Sequence, residues 1–207
     1  MEASIIIVNY NSLPYLEKCL GSIAKNTNLK HEVIVVDNHS TDESIPFLRK
    51  NKNPHLHIIL NPANFGFPTA CNQGLKIASG EFLITMNPDV ILPPNWLSRL
   101  SWHLTNNPKT LVVGPKSMGI GGRQWAGPLN FSRKLEAADR KFAGLYHRQS
   151  EPTKFLIGCL VLFNQRLLDK IGYFDENLLL GADDFDLALR IRKGGYELRI
   201  AKDVLIE

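Results

Sequence analysis

Three aspartates, Asp37, Asp89 and Asp184, stand where a carboxylate could do chemistry. Asp37 ends the apolar run Val33-Ile-Val-Val36. A carboxylate held there on rigid backbone can accept hydrogen bonds from a base imide or a ribose hydroxyl, or it can close an Asx turn. Asp89 follows the run Phe82 to Met86 and is presented by Asn87 and Pro88. One carboxylate plus diphosphate oxygens is a usual way to hold Mg2+ or Mn2+, ions that keep several waters and need few protein ligands. An aspartate in a loop with Pro88, Pro93 and Pro94 can equally be a turn residue. Asp183, Asp184 and Asp186 crowd the start of a helix in Gly181-Ala-Asp-Asp-Phe-Asp-Leu-Ala-Leu-Arg190. The helix dipole favours acids there, and neighbouring carboxylates also raise one another's pKa, which suits a general base facing a cleft.

Two further segments, Asn64-Phe-Gly-Phe67 and Asn72-Gln-Gly74, bracket the start of an expected helix. Gly66 permits a turn or a close approach to a ligand, and a helix N-terminus offers free amides to phosphate; structural turn residues would look the same. His55 and His57 share one face of a strand without a third ligand of known spacing, so the six histidines form no metal set.

These residues need elements to position them. Ser4 to Val8, Val33 to Val36, Leu56 to Leu60, Glu81 to Met86 and Thr110 to Val113 read as strands. Between them, Leu13, Leu16, Leu20 and Ile23 form the apolar stripe of a helix that Ser12 could cap and Pro14 could start. Further helices are expected up to about Lys50, over Thr69 to Ala78 and over Pro94 to Asn106. The alternation predicts an α/β fold, a mostly parallel sheet with crossover helices. Its ligand edge lies beyond the carboxyl ends of the strands, where the polar loops fall. From Lys116 to Lys154 periodicity fades around Gly119, Gly121 and Gly122, and a flexible lid is expected there. Order returns with Phe155 to Phe163, helices near Gln165 to Lys170 and Asp184 to Lys193, and a last strand at Tyr196 to Ile200.

At 207 residues the chain fits one domain with a real core. The formal charge of +4 is modest and the basic residues are scattered except around Arg133-Lys134 and Arg140-Lys141, so charge selects no partner among nucleotides, anionic lipid and nucleic acid. Without aromatic-basic interleaving or a recognition-helix motif, a nucleic-acid binder is disfavoured. Three scattered cysteines, Cys19, Cys71 and Cys159, indicate neither a disulfide framework nor a zinc site and fit a reducing cytoplasm. No apolar run approaches the ~18 residues of a membrane span, so membrane contact is expected only peripherally, at the inner face.

Together these segments resemble glycosyltransferase family 2, closest to its rhamnosyltransferase-like members, over nearly the whole chain. The matching stretches are Ser4-Ile-Ile-Ile-Val-Asn-Tyr-Asn11, Val33-Ile-Val-Val-Asp-Asn-His-Ser-Thr-Asp42, Asn64 to Phe67 with Asn72 to Gly74, Gly80-Glu-Phe-Leu-Ile-Thr-Met-Asn-Pro-Asp89 and Asp183 to Arg190. The resemblance implies the GT-A fold, with helices on both faces of the sheet, as one domain over residues 1–207. Residues 1–115 would bind the nucleotide sugar and 116–207 would face the acceptor. It implies that Asn9, Tyr10 and Asp37 contact the nucleoside and that Asn11, Asn38, Asn64, Gly66, Phe67, Asn72, Asn87 and Pro88 complete the nucleotide-sugar site. Asp89 matches the last carboxylate of the Asp-x-Asp metal motif, for Mn2+ or Mg2+. Asp183 and Asp184 match the Glu-Asp pair, Asp184 as general base. The implied reaction is an inverting transfer from a UDP- or dTDP-sugar to a hydroxyl of a saccharide or lipid-linked acceptor, as in polysaccharide, cell-wall or O-antigen biosynthesis.

The chain departs from the family pattern at three places. Asn87 replaces the first Asp of the metal motif, Cys71 stands where many relatives carry Arg, and the sequence ends at Glu207 before the metal-binding His often found after the last strand. A longer parent chain is therefore expected, and a non-catalytic nucleotide-sugar-binding module is the rival of a different class. A dinucleotide oxidoreductase fails at the first turn, where Asn9-Tyr-Asn-Ser12 occupies the place of G-x-G-x-x-G; a P-loop lysine motif and the Gly-rich basic loop of a nucleotidyltransferase are also missing.

Overall fold

A computed structural model of the chain describes residues 2–128, 135–178 and 181–207. The β-branched runs become β1 (Ala3–Asn9), β2 (His31–Asp37), β3 (Leu56–Leu60) and β4 (Phe82–Met86), with β5 (Thr110–Ser117), β6 (Ser150–Thr153), β7 (Leu160–Asn164) and β8 (Glu197–Ile206) in the second half. They form one sheet in the order β3-β2-β1-β4-β7-β5-β8-β6. β1 is parallel to β2 and β4, β2 to β3, and β5 to β8. β7 runs antiparallel between β4 and β5, and β6 antiparallel to β8, so six of the eight strands point one way. The expected mostly parallel sheet is present.

Seven helices complete the described fold: α1 (Leu13–Asn26), α2 (Ser44–Lys50), α3 (Phe67–Ile77), α4 (Trp96–Thr105), α5 (Leu135–Leu145), α6 (Gln165–Ile171) and α7 (Asp183–Lys193). Alternation along β1 sorts them onto the two faces. Ala3, Ile5 and Ile7 pack with Leu16 and Cys19 of α1, Leu48 of α2 and Trp96 and Leu100 of α4. Ile6 and Val8 pack with Ala70 and Leu75 of α3, Leu167 of α6 and Leu187 and Ile191 of α7. Central strands buried on both faces explain why their sequences are continuously apolar rather than alternating.

Two expectations need correction. Ser12 makes no side-chain cap on α1; its hydroxyl donates to Tyr10 O, and Asp42 Oδ2, from the loop after β2, accepts from Leu13 N instead. The span 116–154 also contains more regular structure than its fading periodicity predicts: β5 runs to Ser117, and α5 and β6 both pack against β8, while residues 129–134 of the expected lid lie outside the described residues. Leu135, Ala138 and Phe142 are the buried stripe of α5, obscured in the sequence by the charges around them. One of those charges is internal: Asp139 pairs with Arg99 of α4 at 2.7 Å and accepts from Leu205 N, which ties α4, α5 and β8 together. Arg133 and Lys134 lie outside the described residues.

At the sheet edge away from the carboxyl ends, the buried Glu32 joins three strands and a loop. Its Oε1 accepts from Ser4 Oγ at 2.6 Å, Ser79 N at 2.8 Å and Ser79 Oγ at 2.7 Å, and Oε2 lies 3.2 Å from His57 Nε2. Burial opposes its ionisation, but these hydrogen bonds and His57 prevail and hold the carboxyl below its ordinary range. A depressed carboxylate supports the fold above its unfolded pKa and loses that support as pH falls through the folded value. Glu32→Ala is expected to lower unfolding free energy by about 2–4 kcal/mol at neutral pH, because it strands the Ser4 and Ser79 donors. Urea denaturation checks this, and the difference from wild type should shrink in acid.

Candidate functional site

Parallel registry carries the ends of β1, β2 and β4 to one edge: Asn9 lies opposite Asp37, and Ile7 opposite Met86. Asp37 and Asn9 are wholly buried there. Asp37 Oδ1 accepts from Ser40 N at 2.8 Å, and Oδ2 accepts from Asn9 Nδ2 at 2.8 Å. Asn9 Oδ1 is left buried without a partner among the described residues. Above them Tyr10 is 48% exposed. Asn11, exposed and at φ 49°, receives Thr41 N and Asp42 N on its Oδ1 and gives its own N–H to Ser40 Oγ. Asn11 and His39, the latter at φ 74°, occupy the left-handed region that side chains rarely adopt, so the two loops are held by mutual hydrogen bonds rather than by backbone preference.

Asn38 organises the next loop. Its Nδ2 donates to Asn64 Oδ1 at 2.8 Å and Gly66 O at 3.2 Å, while its Oδ1 accepts from Asn61 Nδ2 at 3.0 Å and Phe65 N at 3.1 Å. Gly66, at φ 83°, turns the chain into α3, and Phe67 at the first position of α3 meets Phe174 edge-on at 6.4 Å. Asn72 faces elsewhere: it donates to Phe174 O and Glu176 Oε1 and accepts from Phe174 N, which fastens α3 to the loop after α6. Cys71 beside it is buried in the core under α3 and offers no charge to a phosphate.

At the end of β4, Asn87 and Pro88 are part-buried and Asp89 is exposed. Asn87 N donates to Cys159 O at 2.9 Å, just before β7 begins. The next residue back, Gly158, donates its N–H to Asp184 Oδ2 at 2.9 Å. A Cβ at position 158 would collide with Asp184 Oδ1, so only glycine leaves room for that carboxylate. The approach to α7 is strained as well, with Gly181 at φ 92° and Ala182 at φ 70°. Burial pushes Asp184 up to about 6, against the Gly158 hydrogen bond and with the help of Asp183. Burial likewise raises Asp183. Asp186, by contrast, is paired with Arg190 one turn along, its Oδ2 accepting from Arg190 Nε at 2.7 Å.

The acidic trio therefore separates into a desolvated pair and one surface ion pair. Burial is the main cause that lifts the Cys159 thiol to about 12, and Asp89 and Asp184 both add to it. Both carboxylates are thus within electrostatic reach of the thiol on this edge, at the start of β7. Asp37 lies on that edge two strands away, beneath its surface. Among the described residues Asp89 makes no hydrogen bond or ion pair, and no three His, Cys, Asp or Glu groups cluster as a metal cage. A lone exposed carboxylate fits an ion whose remaining ligands come from a diphosphate and water. The sequence reading overlooked Ser40, Asn61 and Gly158, because their roles depend on strands that pair across long sequence separations.

The comparisons with known proteins bear on the family and the fold. The profile of "Glycosyl transferase family 2" matches residues 4–172. An "Uncharacterized glycosyltransferase" of Haemophilus influenzae is 30% identical over 65% of this chain and 46% of its own length. The "N-acetylglucosaminyl-diphospho-decaprenol L-rhamnosyltransferase" of Mycobacterium tuberculosis is 24% identical over 93% of this chain and 71% of its own. Among solved structures, the mannosyltransferase PcManGT from Pyrobaculum calidifontis, in complex with GDP-Man and Mn2+, superposes with TM-score 0.74 at 25% identity, covering 99% of this chain and 56% of that one. TarS of S. aureus in complex with UDP-GlcNAc superposes with TM-score 0.73 at 22% identity, covering 99% and 58%. The chain thus spans about half the length of several proteins it matches. Its fold is that of the GT-A glycosyltransferases, and the chain belongs to glycosyltransferase family 2.

Proposed function

We propose that this chain is the catalytic unit of an inverting glycosyltransferase that moves a sugar from a UDP- or dTDP-sugar to a hydroxyl of a saccharide or lipid-linked acceptor. The observation that carries the reading is the Gly158–Asp184 hydrogen bond, which holds a desolvated carboxylate at the edge where Asp89 stands exposed. Nucleotide sugars in the matched structures, and the polyprenol-linked acceptor in a relative's name, support the donor and acceptor classes. We assign the protein to the cytoplasmic side of a membrane, in keeping with three free buried thiols. Among the described residues no helix is long and apolar enough to cross a membrane.

The chain's own groups divide the work. Asn9 Oδ1, buried without a partner, is an acceptor available to a nucleoside N–H, while Tyr10 offers the exposed ring beside it. Asp37 and Asn38 position the two loops that carry these contacts, and Asn11 locks one loop to the other. Asn64, Gly66 and Phe67 shape the entry to α3, whose first amides face phosphate. Asn72 supports that entry from behind. Asp89 would hold a divalent ion, with Asn87 and Pro88 shaping the turn, and the ion would supply positive charge against the diphosphate. Asp184 takes the proton from the acceptor hydroxyl as that oxygen bonds to the anomeric carbon; the bond to the diphosphate breaks, its electron pair leaves with the diphosphate, and the anomeric configuration inverts. Burial, with the help of Asp183, keeps Asp184 basic enough to act near neutral pH.

Asp184→Asn is expected to lower transfer by about 100-fold or more with UDP binding intact, and wild-type kcat/KM should climb as pH rises through about 6, then level off. Radiolabelled transfer measures the first and the pH–rate profile the second; full transfer by the variant would exclude Asp184 as the base, and UDP binding with no transfer by the wild type would leave only the non-catalytic binding module. The same raised carboxyl has a stability signature. Its support for the fold is complete below the unfolded pKa and is lost as pH rises through about 6. Asp184→Asn should therefore be more stable than wild type by about 1–2 kcal/mol at pH ~8, and the gap should close below about pH 4. For the metal, Asp89→Ala is expected to remove the Mn2+-dependent part of the Tm rise given by UDP or dTDP and to raise Kd in Mn2+ about tenfold. An undiminished Mn2+ effect in that variant would exclude Asp89 as the ligand.

A further inference from the structure

Beside Asp184 lies a groove lined by none of the residues assigned above to the donor. It has a volume of about 360 Å³ and is lined by Gly121, Arg123, Gln124, Lys154, Phe155 and Ile157, among others. Its wall is continuous with the catalytic edge, since Ile157 precedes Gly158, whose N–H holds Asp184. The groove is also fixed in shape. Gln124, buried, accepts from Ile157 N at 2.7 Å and donates to Pro115 O at 3.2 Å, so the 3-10 turn at Gly122–Gln124 is pinned against the loop before β7.

Two chemistries meet in this groove. Phe155 stacks on Phe185 at 4.1 Å and 15°, and Phe185, the neighbour of Asp184, is 58% exposed. An exposed stacked pair beside a catalytic carboxylate is a flat apolar seat of the kind that a sugar's C–H face covers. Beyond it the lining is cationic, with Arg123 and Lys154 and no acidic residue. Lys116 Nζ donates to Arg123 O at 2.6 Å, and Arg192 Nη1 to Lys154 O at 3.4 Å, which adds two positive charges behind the first two. The acid facing this group is Glu151, 3.5 Å from an Arg123 guanidinium whose side chain is 62% exposed, a pair loose enough to yield to a stronger anion. Lys154 has no carboxylate partner among the described residues.

We infer that this groove binds an acceptor carrying a phosphate or diphosphate next to the accepting sugar, with the sugar on Phe155 and Phe185 and the anion on Arg123 and Lys154. The inference rests on the glycosyltransferase reading above and adds the chemical class of its acceptor. A lipid diphosphate and a phosphodiester polymer present the same anion, so the test has an arm for each.

The test titrates farnesyl diphosphate and a glycerol-phosphate trimer separately into the protein with UDP and Mn2+ saturating, so that the donor edge is filled; octyl glucoside is the neutral control. One of the two anions is expected to bind, and the one that does identifies the source. Arg123→Gln with Lys154→Gln should weaken that binding about tenfold and flatten its salt dependence. Loss of the same charge at two remote exposed positions, Lys18→Gln with Lys52→Gln, should leave it unchanged, and since all four side chains are exposed, the Tm of each double variant reports that it folds. Equal weakening by both pairs, binding of octyl glucoside as tight as that of the anions, or binding of neither anion while UDP still raises Tm would overturn the inference. Absence of any UDP effect would overturn the donor reading instead.

Discussion

The hydrogen bond from Gly158 N to Asp184 Oδ2 joins parts of the chain that share no local sequence signal. Gly158 is delivered by β7, which runs antiparallel between β4 and β5. That reversal brings the start of β7 to the edge where β1, β2 and β4 end, and Asn87 N bonds Cys159 O across the junction. The parallel half thus supplies Asp89, and the reversed strand supplies the anchor for Asp184. Were β7 parallel to its neighbours, its first residues would lie at the opposite end of the sheet and α7 would have no backbone donor there.

The anchor holds a carboxylate in a place that disfavours its charge. Burial lifts Asp184 to about 6, and the left-handed Ala182 adds strain at the helix start. Such local costs are tolerated where the surrounding packing over-determines the conformation. Here α7 is fixed from below by Leu187, Ala188 and Ile191 in the core shared with β1 and β2, and Arg190 bonds Ile171 O of α6. The stable faces of the sheet therefore impose a conformation on the edge that the edge would not adopt alone.

Much of the fold is legible in the sequence because its central strands are buried on both faces. Continuous runs such as Ile5 to Val8 and Val33 to Val36 mark strands without ambiguity, and the stripe from Leu16 to Ile23 marks α1. Legibility fails where polar residues are internal. Asp139 is buried by its pairing with Arg99, so the helix around it reads as surface loop. Ser12 reads as a cap, but Asp42, thirty residues on and adjacent only through β1–β2 pairing, takes that role. The site divides in the same way. Residue types at strand ends are visible from spacing alone, whereas their orientation is not: Asp37 and Asn9 turn inward on each other, and Asn72 turns to the loop at Phe174.

The inward turn of Asp37 bears on how charge is handled at the donor edge. The residues assembled there are mainly neutral amides, Asn9, Asn11, Asn38, Asn61, Asn64 and Asn87, together with one exposed acid, Asp89. Amides hydrogen-bond a nucleoside well but cancel no charge, and Cys71 puts a buried thiol where a guanidinium would have answered phosphate. Under the proposed function, a diphosphate brought to this edge would find its countercharge in the amides at the start of α3 and in a cation shared with Asp89. With Asn87 in place of a second carboxylate, Asp89 would cancel less of that cation's charge. More of it would be left to act on the leaving diphosphate, at the cost of weaker retention when no nucleotide is bound. On that proposal, the substitution that weakens the metal motif on its own makes metal and nucleotide binding depend more strongly on each other.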